Sequence, residues 1–135
     1  MPIVGIGVDV VDLARFERAL SRTPALKARL FAEAELTVGE RVLPLRSLAG
    51  RFAAKEALIK AFGESTGIRW HHMQVVSNSH GNPSMNLTDA ASRIAARKGI
   101  GAIHLSMSHD GGIAIAYVIA EAAPLAETAP VGDAP

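Results

Sequence analysis

Apolar and polar positions alternate along residues 3–11, IVGIGVDVV, which predicts a strand. Val4, Ile6, Val8 and Val10 share one face; Gly5, Gly7 and Asp9 share the other. That second face is almost stripped of side chains, so another backbone or a ligand can approach Asp9 closely. Asp12 reads as the N-cap of a helix over 13–21, with Pro24 punctuating its end. Leu13, Phe16 and Leu20 form its apolar stripe, and Arg15, Arg18 and Arg22 recur at i, i+3, i+7 on the opposite side. A second short helix is predicted over 25–31. Residues 32–41 follow no single period.

The pattern then predicts a long helix over 45–62 containing RFAAKEALIKAFG, with Gly63 as its stop. The segment is mostly apolar yet holds four charges. At about 100° per residue these do not form one solvent stripe: Arg51 and Lys55 lie on one side, Glu56 and Lys60 on another. A surface ion pair at i, i+4 would account for Glu56 and Lys60 at only ~0.3–0.5 kcal/mol. Two strands over 72–79 and 84–87 flank the turn HGNP, and Thr88 opens a helix ending at Lys98-Gly99. AIHLSMSH and IAIAYVIA form a closing hairpin around DGG. These elements predict an α+β domain over residues 1–120, an antiparallel sheet packed against helices. Residues 121–135 are Ala/Pro-rich without periodicity, a tail expected to be disordered.

At 135 residues the chain can bury one core without staples. It has no cysteine, which excludes disulfides, zinc–thiolate sites and thiol chemistry. The apolar N-terminus lacks a basic leader region and is interrupted by Asp9, so neither a signal peptide nor a membrane span is expected, and the cytoplasm is the default location. A net charge of +1 argues against a general polyanion binder, and 4% aromatic residues argue against stacking on nucleic acid. Acidic partners must be met by a local patch.

Three familiar motifs fail on inspection. GIGVDV lacks the third glycine of a dinucleotide loop, and its glycines lie within the strand rather than after it. SMSHD offers serine, histidine and aspartate, but strand alternation sends Ser108 and His109 to opposite faces. His71 and His72, adjacent on a predicted strand, would also diverge and cannot share a metal. His109 shares its face with Ile103, Leu105 and Met107 at the strand's end.

Taken in order, GIGVDVVDLARFE, GRFAAKEALIKAFG, GNP and HLSMSHDGGIAIAYVI resemble the holo-acyl-carrier-protein synthases, the small 4′-phosphopantetheinyl transferases, over residues 3–120. The resemblance implies transfer of the phosphopantetheine arm of coenzyme A to a serine of apo-acyl carrier protein, with Mg²⁺, releasing adenosine 3′,5′-bisphosphate. It also implies a homotrimer with active sites between protomers, so that site residues come from two chains. Asp9 and Glu56 match the family's metal ligands. Glu56 matches the group that takes the serine proton, and Lys60, one turn on, can stabilise or protonate the leaving phosphate. Arg51, Lys55 and His109 match phosphate-contacting positions, and Arg15, with Arg18 and Arg22 beside it, the carrier-docking face. Asp12 stands where a glutamate is more usual, and WHHM departs from the usual stretch before the third strand.

Two other readings use the same residues. One is a different Mg²⁺-dependent nucleotide phosphotransferase or phosphohydrolase that needs no carrier protein. The other is a non-catalytic trimeric coenzyme A-binding domain in which the charges only set an interface.

Overall fold

The computed structural model describes residues 2–124. Strand β1 (Ile3–Asp12) leads into α1 (Leu13–Arg22) and the short α2 (Leu26–Leu30). A 3₁₀ turn (Glu33–Glu35) and a small hairpin of β2 (Thr37–Val38) and β3 (Arg41–Val42) reach the long helix α3 (Leu45–Phe62). A second 3₁₀ turn (Trp70–His72) precedes β4 (Met73–Ser77) and β5 (Pro83–Leu87), then α4 (Asp89–Arg97), β6 (Ile100–Asp110) and β7 (Ile113–Ala122). The class is α+β, as the alternation and helical periods predict.

The main sheet is antiparallel, in the order β1-β7-β6. One of its faces carries Ala114, Ala116, Val118 and Ala120 of β7, all fully buried beneath Ala53, Ala54, Ala57 and Leu58 of α3. Small residues on both surfaces let helix and sheet come close. At Gly5 and Gly7 the approach is extreme: a Cβ at either would overlap the carbonyl oxygen of Ala61 or Ala57 of α3. The bare strand face expected from the alternation is therefore the floor on which α3 lies. Asp9 follows on the same face, level with Ala116 and Met107.

The hairpin joining β6 to β7 turns at Gly111 and Gly112, with φ of +56° and +80°. Two positive values in succession define a tight turn that only glycine enters without strain. At the other end of the domain, α3 stops at Gly63 in the left-handed region, as its C-terminal signal predicts. On the outer face of the sheet, Val4, Ile6, Val8, Val10, Ile113 and Tyr117 are exposed.

Three expectations need correction. His71 and His72 lie in the 3₁₀ turn, and the strand begins at Met73, because His72 N bonds back to Arg69 O and not across a ladder. Glu121 and Ala122 belong to β7, where Glu121 pairs with Ile3 and Ala122 with Ile100, so the segment read as tail begins inside the sheet. Its residues 125–135 lie outside the described ones. Thr88 occupies the N-cap of α4 but its side chain makes no capping bond. Residues 32–43 are a turn and a two-residue ladder, too short to show a period.

Candidate active site

Three of the proposed site residues meet at the β1 edge of the sheet. Lys60 Nζ donates to Asp9 Oδ1 at 3.1 Å and to Val8 O at 3.0 Å. The lysine side chain is 54% exposed and that of Asp9 19%. Glu56, one turn earlier on α3, is half-buried and makes no hydrogen bond to the protein among the described residues. Its carboxyl is pushed above the ordinary glutamate range, first by loss of water and then by the neighbouring Asp9 carboxylate, with Lys60 partly opposing. Two carboxylates and an ammonium therefore lie together at this edge of the sheet. Among the described residues no group of three or more His, Asp or Glu side chains converges.

The second group lies across α3. Arg46, Ser47, Gly50 and Arg51 fall on one helix face at i, i+4 spacing and border a cavity of about 540 Å³. Ser77, the Gly81-Asn82-Pro83 turn and the end of β6 with His109 complete the walls. Asp9, Glu56 and Lys60 do not line it. Arg51 and Glu56 are five residues apart, or about 140° around the helix, so they serve different flanks. Within one chain the carboxylates face the β1 side of the sheet and the cavity the β6 side, which are its opposite edges.

Lys55 is not brought to either group. It is fully buried, and its three N–H bonds go to Glu35 Oε1 at 2.7 Å, Leu30 O at 2.6 Å and Trp70 O at 3.1 Å. No donor is left for a phosphate, so the assignment of Lys55 to phosphate contact is corrected to an internal ion pair. Burial draws its pKa down, and the Glu35 bond and charge draw it back up. Glu35, a fully buried carboxylate, is invisible to the periodicity because its single 3₁₀ turn is too short to show a period.

Arg51 is 3% exposed. Its Nη1 donates to Glu35 O at 2.8 Å and Val75 O at 2.7 Å, and its Nη2 to Ser77 Oγ at 3.1 Å. Desolvation lowers its pKa, the Glu35 charge raises it, and the guanidinium stays charged. Sequence reasoning missed Arg46, Ser77 and Asn82 as cavity residues. The i, i+4 relation of Arg46 to Gly50 and the GNP turn were the available signals. On α1, Arg15, Arg18 and Arg22 are exposed on the side away from buried Phe16, and Asp12 Oδ2 caps the helix through Arg15 N at 2.8 Å.

The fold and these two half-sites define a class. The family model of the 4′-phosphopantetheinyl transferase superfamily matches residues 5–118, and the chain belongs to that superfamily. A holo-acyl-carrier-protein synthase of Leifsonia xyli subsp. xyli is 60% identical over 119 residues, spanning 88% of this chain and 97% of that protein. The crystal structure of the corresponding synthase from Neisseria meningitidis superposes with a TM-score of 0.77 at 34% identity, over 89% of this chain and 99% of that one. The Helicobacter pylori synthase, solved in complex with coenzyme A, gives 0.74 at 28%, over 86% and 99%. Within the superfamily, this chain is an enzyme of the holo-acyl-carrier-protein synthase type. No helix among the described residues is long and apolar enough to cross a membrane.

Proposed function

We propose that this enzyme transfers the 4′-phosphopantetheine group of coenzyme A to a serine of apo-acyl carrier protein and releases adenosine 3′,5′-bisphosphate. The observation that carries the reading is the pairing of a cavity lined by the fixed cations Arg46 and Arg51, with His109 beside them, with an Asp9–Glu56–Lys60 cluster, all on the elements that match the family. The Arg51 guanidinium, held by three protein acceptors, keeps donors in hand for a phosphate and cannot lose its charge.

Asp9 and Glu56 fit a magnesium ion. Mg²⁺ takes one or two carboxylates and fills its octahedron with water and substrate phosphate, so a third protein ligand is not required. Bound there, it would neutralise charge on the pyrophosphate. The remaining chemistry falls to the chain's own groups. The carrier serine oxygen bonds to the phosphorus that bears the pantetheine arm, and the bond from that phosphorus to the bridging oxygen breaks. Glu56, directly or through a water, accepts the serine proton. Its raised pKa brings it nearer to neutral pH than an ordinary glutamate, which suits a general base. Lys60, already at the cluster and mostly solvated, donates to the departing phosphate. Arg15, Arg18 and Arg22 offer the acidic carrier a basic helix face on a nearly neutral protein, which raises association rate and specificity more than affinity.

The two half-sites at opposite edges of one sheet support a homotrimer. In a closed head-to-tail ring, the β1 edge of one copy meets the β6 edge of the next and the two halves join. The exposed apolar face around Val8, Val10 and Tyr117 supplies surface for that contact. We propose the cytoplasm as the enzyme's location.

The test is mass spectrometry of apo-acyl carrier protein incubated with enzyme, coenzyme A and Mg²⁺. A phosphopantetheinyl mass increment on the carrier serine is expected. No increment at any metal concentration overturns the reading.

A further inference from the structure

We propose that Glu35 is a positioning residue for coenzyme A recognition, acting through Arg51. The inference rests on the reading of the Arg51 cavity as the coenzyme A site.

The carboxylate of Glu35 is fully buried and every bond it makes ties a different piece of backbone or side chain. Oε1 accepts from Lys55 Nζ at 2.7 Å and from Ala32 N at 3.0 Å; Oε2 accepts from Val75 N at 2.9 Å. One group thus joins α3, its own 3₁₀ turn and β4. The residues it pins are the ones that hold Arg51. The two carbonyls that accept from Arg51 Nη1 are those of Glu35 itself and of Val75. Fixing the Ala32–Glu35 turn aims the first carbonyl, and fixing Val75 N sets the peptide register of the second.

Lys55 supplies the countercharge that makes this carboxylate tolerable in the core. It reaches no solvent, and its other two N–H bonds go to the carbonyls of Leu30 and Trp70. A buried ion pair of this kind is commonly no more stabilising than a well-packed apolar pair. Its presence at the back of the cavity is explained better by what it orients than by stability alone. Guanidinium orientation matters because the planar fork recognises phosphate only when its free N–H groups point into the cavity. Two of the three acceptors that set this plane depend on Glu35; the third, Ser77 Oγ, lies on β4 two residues beyond Val75.

The experiment uses the full chain and measures the Kd and KM of coenzyme A, and kcat, by calorimetry and steady-state kinetics. Glu35→Gln combined with Lys55→Met removes both charges at nearly constant volume and avoids a lone buried ion, and thermal melting checks the fold. The side-chain amide that Glu35→Gln introduces cannot accept from Val75 N through its nitrogen while its oxygen serves Ala32 N. The double variant is expected to raise Kd about three- to tenfold, the scale of one or two lost hydrogen bonds, with kcat changed less than KM. Arg51→Ala alone is expected to cost about tenfold or more. With Arg51→Ala already in place, adding the pair should change Kd by less than about twofold, because the effect has no residue left to act through.

Equal losses in both backgrounds would show general loosening and overturn the proposal, as would an unchanged Kd in the folded double variant. Should it not fold, Glu35→Gln alone is measured in both backgrounds, and failure of that variant to fold assigns the carboxylate to stability and overturns the proposal too. An unchanged Kd for Arg51→Ala is a different failure. It removes the cavity as the coenzyme A site and takes this inference with it.

Discussion

Gly7→Ala separates the packing of α3 on β1 from the chemistry that the packing arranges. A methyl at Gly7 would overlap Ala57 O and lie 2.8 Å from Ala57 C and 2.9 Å from Ala61 N, whereas Cβ atoms keep at least 3.0 Å from such neighbours. All three atoms are backbone, so no side chain can swing aside. The helix must retreat, and relieving the overlap takes on the order of 1 Å. Overpacking of this kind typically costs about 1–3 kcal/mol. The smaller gain from a less flexible unfolded chain, ~0.4–1 kcal/mol, does not offset it.

The retreat also widens the gap between Asp9, two residues along β1, and Glu56 and Lys60, which flank Ala57 on α3. A misplacement of ~1 Å at a reacting centre can cost ~10²-fold in rate. Gly7→Ala is therefore expected to lose about that much kcat in the carrier-modification assay while melting as a folded protein. Gly50→Ala is the control for stability. Its Cβ meets only Met107 Sδ, at 3.7 Å, so the substitution should stabilise the fold by ~0.5–1 kcal/mol, as for glycine replaced within a helix, and raise Tm accordingly. Near-native kcat in folded Gly7→Ala would refute the claim that the glycine floor sets the site.

Three other sets of substitutions probe the cluster and the docking face. Lys60→Met should lower kcat by ~10²-fold with a smaller change in the KM for coenzyme A, and a pure KM effect would move Lys60 to binding. Glu56→Gln should abolish transfer, and without metal it should also alter the pH dependence of stability. Because burial and Asp9 raise the folded pKa of Glu56, its stabilising contribution is complete below the ordinary 4.5 and is lost as pH rises through the folded value. In EDTA the glutamine variant should thus melt slightly higher than the native protein at pH 7 and equally below 4.5, and the same small offset at both would contradict the shift. Arg15→Glu with Arg18→Glu should raise the KM for carrier protein several-fold, weaken its salt dependence and leave coenzyme A binding alone. An unchanged carrier KM returns α1 to a merely solvated face.

What could be read from the chain follows the regularity of its elements. The alternation in β1 named both faces correctly, because a strand period of two leaves no ambiguity once glycine and valine segregate. Helix α3 was legible from end to end for the same reason, with Gly63 to stop it. The two lysines of α3 were not equally legible. Lys55 and Lys60 look alike in a helical projection, each beside alanines and one opposite charge. Their fates differ because Glu35, twenty residues before Lys55, enters from an irregular turn and meets one of them. No local pattern announces a partner that arrives by tertiary packing. Chain topology likewise decides that Arg51 and Glu56 face opposite edges of the sheet, and periodicity gives only the angle between them.

That separation bears on how the reaction is charged. The Asp9–Glu56–Lys60 cluster holds two carboxylates against one ammonium, in a place already dry enough to raise the Glu56 pKa. Left alone, such a cluster repels a pyrophosphate. Arg46 and Arg51, the fixed cations suited to receive one, stand with His109 at the far edge of the same chain. A single protomer therefore carries an acidic half-site and a basic half-site but not the overlap the substrate needs. Under the proposed function, a divalent cation on the carboxylates would reverse the sign of the first half, and a neighbouring copy's cavity would supply the second. In this account, metal and assembly remedy two parts of one electrostatic deficit. Removing the metal should then weaken coenzyme A binding even in the intact assembly, and dissociating the assembly should weaken it even with Mg²⁺ in excess. Titration of coenzyme A against assembled enzyme with and without EDTA, and against a monomeric Val8→Lys variant of the apolar face, measures both. Full affinity in a metal-free monomer would show that one chain's cavity suffices and that the carboxylates play no part in holding the substrate.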